Sequence, residues 1–114
     1  MNGVPNFIHK ELAAGGWSKL SLSGQLAHIG SEVGRSSKWQ GKDSASFDGA
    51  VSRALDLFDL TLADPRWKGR YLEIARAREL FCAAVLGDDE YKTTLNDLEN
   101  YFLPFAVAAE SSGL

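Results

Sequence analysis

Three residues of this chain share a helix flank by their spacing alone: His28, Glu32 and Arg35, at i, i+4 and i+7. A histidine and a carboxylate one turn apart can begin a metal site, but a site needs three or four ligands and no second matching pair occurs. The other histidine, His9, belongs to the N-terminal segment. No metal and no cofactor is therefore expected. Asp56-x-x-Asp59 has the spacing of magnesium-holding acids on helices, yet both lie opposite the apolar arc of their helix. Arg66-Trp67-Lys68-Gly69-Arg70, followed by Arg76 and Arg78, gathers cations and an aromatic ring near a helix N-terminus. Exposed N–H groups there also favour anions, so Arg66, Lys68, Arg70 and Arg76 are candidates for contacting nucleic acid or another anion. Cys82 falls on an apolar arc and reads as a small core hydrophobe rather than a nucleophile. No glycine-rich phosphate loop, serine-centred nucleophile motif or CxxC occurs, and no catalytic residue is nominated.

The residue most in need of explanation is Arg78. Trp67, Tyr71, Ile74, Phe81, Cys82 and Val85 fall on one helical arc at roughly 100° per residue, and Arg78 sits between Ile74 and Cys82. An arginine keeps its proton, so burying it requires an acid or a polar cavity. Glu32, at the edge of another apolar arc beside Gln25 and Ser36, is the acid best placed to reach it. The expectation is a buried Arg78–Glu32 pair, read either as an ion pair that fixes helix register or, with Arg35, as a pocket for a ligand's carboxylate or phosphate.

The elements that position these residues are helical throughout. Pro5 opens a short arm helix over residues 5–14, closed by Gly15-Gly16. Ser21 or Ser23 caps a helix running to about residue 40, with Leu22, Leu26, Ile29 and Val33 inward. Gly30 and Gly34 lie beside that face, where their return for weakening the helix is close approach of a neighbour. Residues 46–63 give the cleanest pattern, interrupted only by Leu60 on the polar face. Asp64-Pro65 is a paired stop and start for a helix to residue 86, with a weak point at Gly69. Gly87-Asp88-Asp89 is a turn, and Thr94-x-x-Asp97 resembles a capping box with Asp in place of Glu or Gln. In the last helix Leu95, Leu98, Phe102, Phe105, Ala106 and Ala109 share a face and Pro104 points to solvent. Four amphipathic helices of roughly 16 to 22 residues with short connections specify an all-α, up-down-up-down four-helix bundle. The expected organisation is an arm over residues 1–20, a bundle over 21–110 and a tail over 111–114.

Composition agrees with a single globular domain: 114 residues, 45% hydrophobic and 24% charged. One cysteine leaves no internal disulfide, no apolar run approaches the roughly 18 residues that span a bilayer, and the first ten residues lack the order of a secretory signal. A cytoplasmic protein is expected, without a membrane. The net charge of −3 argues mildly against broad nucleic-acid binding. Leu60, Trp17 and Trp39 lie off the main apolar arcs and together suggest a second packing surface, hence a homo-oligomer, most simply a dimer.

The stretch Leu26-Ala27-His28-Ile29-Gly30-Ser31-Glu32-Val33, the segment Leu55-Asp56-Leu57-Phe58-Asp59-Leu60 and the Tyr101-Phe102 end resemble small bacterial and archaeal helical proteins. Their arrangement is similar to HEPN-like bundles, which include the substrate-binding partners of minimal nucleotidyltransferases and four-helix proteins encoded beside retroelements or within ribosomal intervening sequences. The resemblance covers roughly residues 20 to 110 as a helix pattern. Ribonuclease members of that group carry an Arg followed four to six residues later by His. Here both histidines precede the first arginine, Arg35, which argues against RNA cleavage. The resemblance implies an interaction module, dimeric or higher, that serves a protein partner encoded nearby. Two other readings stand beside it: a nucleic-acid-binding module using Arg66 to Arg78, and an enzyme or small-anion binder built around Glu32, Arg35 and Arg78.

Overall fold

The computed structural model describes residues 16–87 and 92–111. After a single 3-10 turn at Trp17–Lys19 come α1 (Leu22–Trp39), α2 (Ser44–Leu62), a second 3-10 segment (Pro65–Arg70), α3 (Tyr71–Leu86) and α4 (Leu95–Ser111). Among the described residues there is no strand. The expected arm helix over residues 5–14, Asp88-Asp89 and residues 112–114 lie outside them.

Local chemistry sets the ends. Ser21 caps α1 by accepting from the Gly24 N–H at 3.1 Å. Thr94 and Asp97 form the reciprocal box: the Asp97 N–H donates to Thr94 Oγ1 at 3.1 Å, and the Thr94 N–H to Asp97 Oδ2 at 3.0 Å. Gly87 ends α3 with φ 71°, a left-handed conformation that lets its N–H return to the last turn. The helix expected from residue 65 is divided. Asp64 and Pro65 start a turn as anticipated, but Trp67 departs from helical geometry (φ −104°, ψ 22°) and α3 proper begins at Tyr71. In that conformation the Trp67 indole reaches Gln25 on α1, a contact described below.

Each helix packs on its sequence neighbours, and α4 closes against α1, giving the four-helix bundle. The α1–α2 and α1–α4 seams are extensive, whereas α3 touches α4 sparingly. The core centres on Phe58, whose ring lies 5.8 Å from Phe81 and 6.1 Å from Phe102, so one α2 side chain joins α3 and α4. Ile29, Val33 and Ala54 complete it without exposure. Each such large side chain contributes about 1.5–3 kcal/mol of burial. Pro104 faces solvent, and Leu95, Leu98, Phe102 and Ala109 face inward, as their spacing predicts.

The three residues expected to form a second surface do not. Trp17 is 4% exposed and belongs to the core, Leu60 packs against it, and Trp39 is half-buried with the Lys38 ammonium 5.0 Å from its ring. Large exposed apolar side chains instead occur on α3 (Leu72, Leu86) and on the outer face of α4 (Leu103, Val107).

Candidate functional site

Arg78 does not meet Glu32. Its guanidinium is a third exposed and its Nε donates to Asp59 Oδ1 at 3.0 Å, with Nη1 4.0 Å from Cys82 Sγ. The physical reason is helix order: α3 lies beside α2, not α1, so the nearest acids are those of α2. The long aliphatic stem covers apolar surface while the charge reaches Asp59 at the rim. The expected pocket around Glu32, Arg35 and Arg78 is therefore not assembled. Asp59, read as half of a metal-type pair with Asp56, is the counter-ion of Arg78.

Glu32 is buried, as its place at the edge of the arc predicts, but its partners are other cations. Oε2 accepts from Arg35 Nη1 at 2.9 Å, and Oε1 from Arg53 Nε on α2 at 3.1 Å. One carboxylate thus ties two guanidiniums across the α1–α2 seam. Arg53 reads from sequence as an outward polar residue, and nothing in its spacing marks it; only its length brings it back to Glu32.

A second polar cluster sits where the first 3-10 turn meets the α2–α3 connection. Gln25 is fully buried. Its Nε2 donates to the Trp17 carbonyl at 2.9 Å and to Asp64 Oδ2 at 3.1 Å, and its Oε1 accepts from Trp67 Nε1 at 3.0 Å. Asp64 in turn receives Arg66 at 2.7 Å, which also donates to the Leu20 carbonyl and lies over the Trp67 ring at 4.4 Å. The Arg66 guanidinium holds the Asp64 carboxyl well below the usual carboxylate range. The signal for Gln25 was present: with Ile29 and Val33 it stands at i, i+4, i+8 on the apolar arc, as conspicuous there as Arg78.

The basic segment is largely neutralised by its own chain. Arg66 pairs with Asp64, Arg70 with Glu73 at 2.7 Å and Arg76 with Glu79 at 2.9 Å; Lys68 is exposed. Glu73 also accepts from the Tyr101 hydroxyl at 3.1 Å, and Arg70 holds its carboxyl below its ordinary value. His28 is exposed, with its ring 5.7 Å from that of Trp17; desolvation there lowers its pKa, against the raising effect of Glu32. Among the described residues no cluster of three or more His, Cys, Asp or Glu side chains can hold a metal ion. No helix among them is long and apolar enough to cross a membrane.

A groove runs along the α1–α4 seam. Two depressions of about 360 and 290 Å³ run into one another through Ala27, Ser31 and Ala106. Small residues create it: Gly24, Ala27, Gly30 and Gly34 on α1 leave room that larger side chains would fill. The helices touch at its floor, where a Cβ on Gly30 would lie 2.6 Å from Phe102 Cβ. Arg35, Lys38 and Glu99 stand at one end, and Leu103 forms part of the α4 wall. From Gly24 to Lys38 the groove is about 21 Å long at 1.5 Å per residue. Comparisons with protein families, with curated proteins and with solved structures find no match to this chain.

Proposed function

We propose that this chain is a non-catalytic helical-bundle interaction module that self-associates and serves a protein partner. The observation that carries the reading is the α1–α4 groove, with Leu103, 52% exposed, on its α4 wall and Val107, 61% exposed, one turn further along α4. A groove lined by small residues beside exposed aliphatic side chains is the kind of surface that marks a protein–protein contact. The charged groups argue in the same direction: Glu32 is shared between Arg35 and Arg53, leaving one net positive charge, and Asp59 pairs with Arg78, so these groups hold the helices together rather than build a catalytic site. The resemblance of the helix pattern of residues 20 to 110 to HEPN-like bundles, read from the sequence, points to the same class of function. A lone half-buried thiol, Cys82, fits a reducing compartment such as the cytoplasm. Nucleic-acid binding through Arg66 to Arg78 is disfavoured by the acids already paired with Arg66, Arg70 and Arg76.

Sedimentation velocity over micromolar concentrations tests the proposal. A concentration-dependent species near twice 12.4 kDa is expected, and a 12.4 kDa species alone at every concentration overturns self-association.

A further inference from the structure

Resting on that reading, we infer that the occupant of the α1–α4 groove is the same face of a second copy, related by a two-fold axis running along the seam. The register of the two helices is fixed by their contacts. Gly30 is level with Phe102 and Gly34 with Glu99, so α1 and α4 run antiparallel. A two-fold axis along the seam leaves every level unchanged and places α1 of one copy across from α4 of the other. The face is self-complementary under that operation in two independent respects.

The first is charge. Arg35 and Lys38 on α1 stand at the level of Glu99 on α4. The axis therefore sets the cations of each copy against the carboxylate of the other, twice. Among the described residues neither Lys38 nor Glu99 has an ion-pair partner within its own chain, although both line one depression. The second is shape. Leu103 lines the groove from α4 at the level where α1 carries Gly30 and Ala27, and Val107 stands exposed one turn further along α4. Each copy thus offers the aliphatic Leu103 knob opposite the small residues of its partner, the arrangement that lets helix backbones approach closely.

Complementary charge reversal tests the inference on the full chain. Lys38→Glu alone sets Glu against Glu99 of the partner; Glu99→Lys alone sets Lys against Lys38. Each variant is expected to dimerise at least tenfold more weakly than the unmodified chain, with unchanged circular dichroism and, at concentrations where every form is monomeric, unchanged melting. Mixed in equal amounts, the two variants are expected to recover the original affinity, because both contacts across the axis then pair opposite signs. Leu103→Asp is expected to dissociate the dimer and to find no such rescue. If the unmodified chain dimerises and the single variants dimerise equally well, this surface is wrong while self-association stands. If the unmodified chain remains monomeric to about 100 µM, both fall.

Discussion

Gly30 and Gly34 differ by one helical turn, and alanine at the two positions should have opposite effects on stability. A methyl group on Gly30 would lie 2.6 Å from Phe102 Cβ and 3.3 Å from its Cγ. Carbon atoms rest at about 3.5–4.0 Å, so roughly 1 Å of separation must be found. Phe102 Cβ is fixed to the α4 backbone, and its ring is 1% exposed against Phe58, so no rotation relieves the clash; α1 and α4 must part. Overpacking of this kind costs about 1–3 kcal/mol, against which alanine returns up to ~1 kcal/mol of helix propensity. The net expectation for Gly30→Ala is a loss of about 1–2 kcal/mol. At Gly34 the nearest atom is Glu99 Oε2 at 2.8 Å, the far end of a flexible chain at the surface. That carboxylate can swing away, so Gly34→Ala should be neutral or stabilise by up to ~1 kcal/mol. Gly69→Ala, with nothing within 4 Å, supplies the uncrowded control. Urea denaturation at one fixed protein concentration, which keeps association from confounding the comparison, reads all three. Should Gly30→Ala prove as stable as Gly34→Ala, the close α1–α4 approach and the register derived from it are wrong.

Truncating Glu32 to Ala strands the mostly covered guanidinium of Arg53, and a loss of about 2 kcal/mol is expected, reduced from the value for a fully buried pair because Arg35 is half in solvent. Arg78→Ala breaks only the rim pair with Asp59 and should change the urea midpoint by less than the equivalent of ~1 kcal/mol; a larger loss would mean that Arg78 holds something else. Gln25→Leu removes the partners of Trp67 Nε1 and of one Asp64 oxygen inside the fold, for about 2–3 kcal/mol and a change in tryptophan fluorescence. Acid should destabilise the chain in two steps. The folded His28 has a lowered pKa, so between that value and the ordinary 6.5 the unfolded chain binds more protons, and stability falls as pH drops through this window. The Asp64 carboxyl is also lowered, so its stabilisation is present above the ordinary 3.8 and is lost as pH falls below it. His28→Asn should abolish the first step in pH-dependent melting and leave the second.

The fold was legible because helix ends and helix faces are local properties. Ser21, Asp64-Pro65, Gly87 and the Thr94–Asp97 box act within a few residues of themselves, and the apolar arcs need only the 3.6-residue period. The kink at Trp67 was legible only in part. Gly69 marks a weak point in the helix, but the departure falls at Trp67, whose indole donates to Gln25, 42 positions earlier in the chain. The second packing surface failed for a related reason. Trp17 and Leu60 look off-pattern on a single helix wheel, but a bundle with a 3-10 turn laid over its end buries residues that no single helix would.

The polar residues divide along the same physical line. Periodicity gives the angle at which a side chain leaves its helix, and on that basis Glu32 and Gln25 sit at core positions and are buried. It does not give the neighbour. Which helix lies opposite depends on the cyclic order of the bundle, and α3 packs on α2 and α4 rather than along α1, so Arg78 on α3 has the acids of α2 as its neighbours and not Glu32. Long cations loosen the relation further. Arg53 starts on the polar side of α2 and returns to Glu32, whereas Arg78 starts on the apolar side of α3 and leaves for Asp59. A charge in an apolar arc therefore marks a place where two helices must be bridged, and its partner is an acid of the adjacent helix. By the same reasoning Lys38 and Glu99, which line a groove and have no ion-pair partner among the described residues, are the charges on which the proposed contact between copies depends.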